Sequence, residues 1–281
     1  MKLPTYYSPI DIIWHYSLRV IAGLVLFFLI FPILVIIPLS FNASEFFTFT
    51  TGMLNLEPSA FSTRWYVDFF SSDQWLLAVK NSFYYASMAT LLATLLGTMA
   101  AVGLSSSNLS YKPLISAILI SPMIVPVIIV ATGMFFFYAS TGIANTDFGL
   151  IVAHAILGTP FVVITVTATL ANFDRTLLNA SASLGANPLQ SFLKITFPLI
   201  RPGVISGALF AFVTSFDEVV VIIFLATPEQ RTIPRQMFSG LREQISPTIL
   251  AAATLLILIS VFLLVSMELL RRRSAHISTT N

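Results

Sequence analysis

The chain has 281 residues, of which 57% are hydrophobic and only 9% are charged. Because a water-soluble domain carries about a quarter charged residues, this composition excludes a soluble enzyme and predicts an integral membrane protein. The chain contains no cysteine, which excludes disulfides, thiolate catalysis and cysteine metal sites. Its formal net charge of +2 is too small to indicate a nucleic acid partner.

Apolar segments long enough to cross a bilayer, which takes about 20 residues of helix, occur six times. We predict an all-α membrane protein whose residues 1–281 form a single transmembrane domain. The predicted spans are 20–41, 76–104, 113–139, 148–171, 200–225 and 247–270. Proline residues inside them are expected to produce kinks, because neighbouring helices can satisfy the freed carbonyls. The small residues expected to allow close helix contacts are Gly97, Gly103, Gly133, Gly207 and Ala208.

The distribution of lysine and arginine predicts the orientation, because these residues favour the cytoplasmic side of a membrane. Six spans place both termini on one side, and that side carries nine lysines and arginines against five on the other. We therefore expect both termini to be cytoplasmic. The first apolar run is not expected to be a cleaved signal peptide, because it is too long and no small-residue cleavage site follows it.

The cytoplasmic connection between the fourth and fifth spans, residues 174–197, is long and rich in helix-forming residues. Its apolar positions, among them Leu177 and Leu184, predict a helix that ends at Gly185, because glycine is the usual residue after a helix C-terminus. A second short helix is expected to start at Pro188, since proline is tolerated in a first turn. Such a pair of helices docks either on another protein or on the cytoplasmic ends of its own bundle.

This connection resembles the cytoplasmic loop of the permease subunits of ATP-binding-cassette importers. The family pattern is Glu-Ala-Ala, three residues, Gly, nine residues, and then Ile-x-Leu-Pro. The residues at the matching positions are Asn179, Ala180, Ser181, Gly185, Ile195 and Pro198. Asn179 and Ser181 stand where the family has glutamate and the second alanine, and Phe197 replaces the leucine. The resemblance implies that the loop forms a coupling helix seated in a groove of a cytoplasmic ATPase.

Further segments resemble the polyamine (spermidine/putrescine) branch of that family, and the second of its two permeases. They are residues 38–42, 64–66, 80–82, 215–218, 232–234 and 245–247. The resemblance implies a subunit of the bacterial inner membrane that works with a second permease, a dimer of ATP-binding subunits and an extracytoplasmic solute-binding protein. The chain itself carries no glycine-rich phosphate loop, so ATP hydrolysis is assigned to the partner. No catalytic residue, metal site or cofactor is predicted.

An acidic pair, Asp217 and Glu218, provides the only carboxylates deep inside a predicted span. A charge at the centre of a bilayer costs roughly 2.5–3.5 kcal/mol on insertion scales, so such residues usually face the interior and have a function. His154 and Tyr85 lie at a similar depth at 1.5 Å of rise per residue. Carboxylates can replace the hydration of ammonium groups, and aromatic faces can hold a methylene stem.

We therefore predict a substrate pathway for a linear polycation, lined by Asp217, Glu218, His154 and Tyr85. Neighbouring helix residues point about 100° apart, so one carboxylate of the pair is expected to face the pathway, and we choose Asp217. The alternative is structural: the pair caps the fifth helix or bonds to His154 and a tyrosine without contacting cargo.

Two other functions stay open at this point. One is an ATP-independent secondary carrier in which Asp217, Glu218 and His154 relay protons. The absence of a recognisable inverted repeat disfavours it, and it leaves the long cytoplasmic loop unexplained. The other is an ATP-driven importer of a different small solute. The acidic layer disfavours an anion, because like charges repel.

Overall fold

The computed structural model describes residues 8–105, 111–171, 173–174, 176–243 and 246–262. Within these ranges the chain is helical apart from its turns and connections and one isolated bridge between Asn42 and Phe61. In chain order the helices are α1 (Pro9–Leu39), α2 (Thr51–Leu54), α3 (Arg64–Ser71), α4 (Asp73–Ser105), α5 (Lys112–Ile124), α6 (Val127–Thr141), α7 (Asp147–Leu170), α8 (Thr176–Ser183), α9 (Pro188–Ser191), α10 (Phe197–Phe216), α11 (Val220–Leu225), α12 (Ile233–Glu243) and α13 (Thr248–Phe262).

Four helical stretches of the described chain are long and apolar enough to cross a membrane, and a fifth span results if the bent pair α5 and α6 is counted as one. The four are α1, α4, α7 and the continuous stretch Pro188–Phe216, which contains α9, a π-helical turn and α10. The shorter apolar helix α13 corresponds to the predicted span 247–270, which is described only as far as residue 262. Of the nine lysines and arginines counted on the cytoplasmic side, Lys2, Arg175 and the arginines at 271–273 lie outside the described residues, as does Ile245 of the segment 245–247.

The predicted helix 113–139 is instead two helices, α5 and α6, bent by 104° at a break between them. Pro126 lacks an N–H, and its ring disfavours helical backbone at the preceding residue. Val125 accordingly adopts an extended conformation, with a ψ of 135°. The prediction of one helix is wrong because Pro126 ends α5 rather than kinking a continuous helix.

The predicted span 200–225 is also divided, because α10 ends at Phe216 and α11 starts at Val220. Asp217 and Glu218 lie in the break. The Glu218 carboxylate accepts a hydrogen bond of 2.9 Å from the backbone N–H of Val221. A carboxylate at a helix N-terminus satisfies a free donor and interacts favourably with the helix dipole. The acidic pair therefore separates two helices and does not lie within one.

The described residues form two compact units, one drawn from residues 1–72 and 240–281 and the other from residues 73–239. In the first unit, α3 is tied to the residues that follow α1. The Trp65 indole donates a hydrogen bond of 2.7 Å to the Asn42 carbonyl, and the hydroxyls of Tyr66 and Ser40 lie 2.6 Å apart. These residues belong to two of the segments that resemble polyamine permeases, so the structure connects segments that are separate in the sequence.

In the second unit, α7 packs against α4 and α10, which also pack against each other. One core of this unit is rich in alanine and valine and includes Ala89, Ala93, Val162, Val166 and Ile200. A second core contains two tyrosines and joins α11 to α6 and α7; it includes Tyr85, Tyr138, Leu150, Val221 and Ile222.

Glycines allow the close packing of α4, α7 and α10. A Cβ atom on Gly97 would lie 2.7 Å from the Cβ of Val162, and one on Gly207 would lie 2.7 Å from the Cα of Val162. In the described chain nothing lies within 4 Å of the corresponding positions on Gly103 and Gly133. The prediction of close contacts is therefore confirmed for Gly97 and Gly207, whereas Gly103 and Gly133 have no such contact within the described residues.

We expect Gly97→Leu to destabilise the second unit, because the new side chain must displace Val162. Overpacking of this kind costs about 1–3 kcal/mol and should lower the midpoint of thermal unfolding in detergent micelles. Gly103→Leu is the matched control on the same helix, because its Cβ position is open, and it should leave the midpoint unchanged. Equal midpoints for the two variants would contradict the packing described here.

Candidate functional site

The two carboxylates of the acidic pair have different surroundings. Glu218 is half-buried, and its side chain caps α11 through the Val221 N–H. Asp217 is exposed, and within the described part of the chain its carboxylate accepts no hydrogen bond. Asp217 is therefore the member of the pair that is free to bind a ligand.

Phenylalanine rings cluster at the C-terminal end of α10, and Asp217 directly follows this end in the sequence. The ring centroid of Phe83, on α4, lies 5.2 Å from that of Phe216, and the Phe212 ring stacks on Phe216 at 5.7 Å. Phe83 is 40% exposed. Aromatic faces attract cations, and their area can cover an alkyl chain. We call Asp217, Phe83, Phe212 and Phe216 the aromatic–acidic face.

His154 is buried inside the chain, with 1% of its surface exposed. Its Nδ1 lies 2.8 Å from the Ser215 hydroxyl, which connects α7 to the last turn of α10. Its Nε2 has no hydrogen-bond partner among the described residues. The imidazole thus contacts Ser215, which lies two residues before Asp217 in the sequence. Because His154 is buried, it is not part of the exposed surface to which the Asp217 carboxylate belongs.

Tyr85 is also buried, with 3% of its surface exposed. Its phenol donates a hydrogen bond of 2.7 Å to Oδ1 of Asp147. The same carboxylate oxygen of Asp147 accepts a second hydrogen bond, of 2.8 Å, from the Gln230 amide. Asp147 is the first residue of α7, where the helix dipole favours a negative charge. Tyr85 therefore joins α4 to α7 and to the connection that follows α11.

The connection between α11 and α12 is bound to α4 by two more polar residues. The Asn81 amide donates hydrogen bonds of 2.7 and 3.0 Å to the carbonyls of Glu229 and Arg231. The Ser82 hydroxyl accepts one of 2.8 Å from the Ile233 N–H. The Ser82 bond joins residues 80–82 to residues 232–234, two of the segments that carry the resemblance to polyamine permeases.

Arg235 caps the C-terminal end of α11. One guanidinium nitrogen donates to the carbonyls of Ile222, Ala226 and Thr227 at 3.2, 3.0 and 3.3 Å. Burial lowers the pKa of Arg235 from its usual value, but an arginine stays protonated at neutral pH. With Glu218 at one end and Arg235 at the other, charged side chains hold both ends of this six-residue helix.

We expect Arg235→Gln to loosen α11, because three carbonyls lose a charged donor. A hydrogen bond to a charged group contributes about 1.5–3 kcal/mol, so amides near Leu225 should exchange with deuterium about tenfold faster or more. Arg242→Gln is the matched control, because Arg242 is an exposed arginine of the same helix α12. An exchange rate near Leu225 that is the same in both variants would contradict the capping role.

The loop between α7 and α10 has the two helix boundaries that its sequence predicts. Gly185 follows α8 with a φ of +81°, and its N–H donates a hydrogen bond of 3.0 Å to the Ala182 carbonyl. This is the hydrogen-bonded left-handed turn that commonly ends a helix. Helix α9 begins at Pro188, and the Asn187 side chain caps it.

The residues predicted to contact the ATPase differ in exposure. Those on the surface are Asn179, Ala180, Gly185 and Pro198. Ile195 is half-buried in the π-helical turn Phe192–Thr196. Ser181 is buried, and its hydroxyl lies 2.8 Å from that of Ser191. The Ser181 side chain therefore faces α9, a contact that the sequence motif does not indicate.

Comparison with known proteins gives consistent matches over most of the chain. The family model for the binding-protein-dependent transport system inner membrane component matches residues 93–276. The spermidine/putrescine transport system permease protein PotC of Escherichia coli (strain K12) is 31% identical over 245 residues, which are 87% of this chain and 90% of PotC. The putrescine transport system permease protein PotI of the same strain is 32% identical over 241 residues, 82% of each chain.

Among solved structures, the fold is similar to the crystal structure of a bacterial ABC transporter involved in the import of the acidic polysaccharide alginate. The TM-score is 0.72 at 16% identity, covering 95% of this chain and 99% of that one. The family match includes both the α8–α9 loop and the break at Asp217. The resemblance indicated by the loop motif is confirmed, and the chain belongs to the family of inner membrane components of binding-protein-dependent transport systems.

Proposed function

We propose that the chain forms half of the translocation pathway of an ATP-driven importer for a polyamine, putrescine or spermidine, or for a similar organic cation. The observation that carries this proposal is the identity of 31% and 32% with two permeases named for these cargoes, each over more than four fifths of the chain. The alginate importer has a similar fold, so the fold does not determine the cargo, and the site and the sequence similarity carry that part of the proposal.

The aromatic–acidic face is the proposed cargo contact. The Asp217 carboxylate replaces water around an ammonium group, while Phe83 and Phe216 cover the methylene stem. Glu218, the next residue after Asp217, takes part by capping α11. The buried residues Tyr85 and His154 act in the pathway indirectly, because their hydrogen bonds hold α4 and α10 in place.

The proposed topology has six spans with both termini in the cytoplasm. The described residues support it with α1, α4, α7, the stretch Pro188–Phe216 and the bent pair α5 and α6. The sixth span begins with α13. The excess of lysine and arginine on the side of the α8–α9 loop favours a cytoplasmic position for that loop.

The proposed assembly contains four kinds of subunit. This chain and a second permease form the pathway, a dimer of ATP-binding subunits hydrolyses ATP, and a solute-binding protein delivers cargo from outside. Helix α8 is the proposed coupling helix. Its docking surface includes exposed leucines on α8, directly after α8, on α9 and in the π-helical turn: Leu177, Leu184, Leu189 and Leu193, which are 41–88% exposed.

Purification of the tagged chain from its native membrane in mild detergent tests this assembly. We expect an ATP-binding subunit, a second six-helix permease and a solute-binding protein to copurify, and the ligand of the solute-binding protein to be a polyamine. A chain that purifies alone or as a homo-oligomer, with uptake that collapses when the proton gradient is removed, would favour the secondary carrier instead.

A further inference from the structure

We propose that the hydroxyls of Ser181 and Ser191 form a clasp that makes α8 move as one body with α10. The inference rests on the proposed coupling role of α8. The two oxygens lie 2.8 Å apart, and the residues are 6% and 9% exposed. Most neighbouring side chains of α8 and α9 are exposed, so this buried polar contact is a specific feature of the loop.

The direction of the hydrogen bonds follows from the single proton that each serine hydroxyl can donate. The Ser181 hydroxyl donates a hydrogen bond of 2.9 Å to the Leu178 carbonyl, which uses its single proton. Ser191 must therefore donate to Ser181. The two bonds run in series from α9 to the backbone of α8, and low exposure strengthens them because water competes less.

The clasp connects α8 to a long continuous element. Helix α9 passes through the π-helical turn into α10, and the stretch Pro188–Phe216 contains 29 residues, about 43 Å at 1.5 Å of rise per residue. Its far end adjoins Asp217, in the aromatic–acidic face. A displacement of α8 can thus be transmitted to the proposed cargo contact along this one continuous helical stretch.

Apart from the clasp, α8 and α9 are connected covalently by the backbone turn around Gly185. Backbone torsions in a short turn allow one helix to swing against the other, and the hydroxyl pair removes that freedom by adding a second point of attachment. Ser181 and Ser191 are therefore positioning residues. Their loss is expected to let the ATPase displace α8 without a full displacement of α10, so that ATP is hydrolysed with less transport.

The test uses the complete complex reconstituted in proteoliposomes, with radiolabelled spermidine delivered by the solute-binding protein. The quantity measured is the amount of spermidine imported per ATP hydrolysed. Ser181→Ala and Ser191→Ala should each lower this ratio about fivefold, the effect expected from one hydrogen bond. The double variant should be no worse than either single variant, because both remove the same bond.

Ser183→Ala is the matched control, because Ser183 is exposed and, among the described residues, its hydroxyl bonds only to the Asn179 carbonyl of the same helix, at 3.0 Å. It should keep the wild-type ratio. Ser191→Thr retains a hydroxyl and should recover most of the coupling, which separates the clasp from an effect on folding. A wild-type ratio in Ser181→Ala and Ser191→Ala, or independent losses that multiply in the double variant, would overturn the clasp. Failure of the proposed function itself would show as no spermidine import by the wild-type complex.

Discussion

Gly185→Leu should abolish ATP-driven uptake while leaving the protein in the membrane. Gly185 has a φ of +81°, in the left-handed region that costs other residues about 1–2 kcal/mol. That cost shifts the balance between this turn and other backbone arrangements by about 5- to 30-fold. The added side chain also projects from the proposed ATPase-facing surface, since nothing in the described chain lies within 4 Å of its Cβ position. Uptake and ATPase binding by the reconstituted complex measure the effect.

Gly142→Leu is the matched control for backbone strain. Gly142 has a φ of +75°, its Cβ position is equally open, and it lies between α6 and α7, away from the α8–α9 loop in sequence. This variant should retain uptake. Gly185→Asn should also retain most of it, because asparagine tolerates left-handed backbone. Full uptake by Gly185→Leu, with normal ATPase binding, would refute the role of this turn in coupling.

Asp217→Asn should slow cation uptake about tenfold or more without lowering the midpoint of thermal unfolding. A hydrogen bond to a charged group contributes about 1.5–3 kcal/mol, and a tenfold change corresponds to about 1.4 kcal/mol. Stability should be unaffected because the carboxylate is exposed and, in the described chain, accepts no hydrogen bond. The initial rate of uptake from saturating, cargo-loaded solute-binding protein is the measurement.

Glu218→Gln provides the control for loss of a negative charge at the same break. An amide oxygen can still accept the hydrogen bond from Val221, so α11 stays capped. We expect Glu218→Gln to transport at close to the wild-type rate. If Asp217→Asn transports normally, or if the two variants lose activity equally, Asp217 is not the cargo-facing member of the pair.

Features set by local chemistry were predictable from the sequence. Gly185 and Pro188 mark the helix boundaries of the cytoplasmic loop because left-handed glycine turns and first-turn prolines depend on backbone geometry alone. Helix α7 begins and ends within one residue of the predicted span 148–171. Pro126 shows the limit of such signals, because its position was predictable but a bend of 104° was not.

Features set by helix packing were not predictable. Membrane helices are apolar on all sides, so hydrophobic periodicity does not reveal which face packs inward. The residues predicted to share one layer differ in burial: Asp217 is exposed and Glu218 is half-buried, whereas His154 and Tyr85 are buried. Tertiary contacts determine this difference, and the sequence pattern does not show it. Tyr85 bonds to Asp147, 62 positions away, and no local pattern indicates that pair. Apolar residues on both sides of the acidic pair also concealed the break between α10 and α11.

Transport by the purified complex tests the central claim most directly. The complex of this chain with its partners is reconstituted in proteoliposomes that contain ATP, and radiolabelled putrescine and spermidine are supplied on loaded solute-binding protein. We predict uptake that requires ATP and the binding protein and that persists when a protonophore removes the proton gradient. Uptake that needs the gradient and proceeds without ATP, or ATP-driven import of other solutes but of neither polyamine, would contradict it.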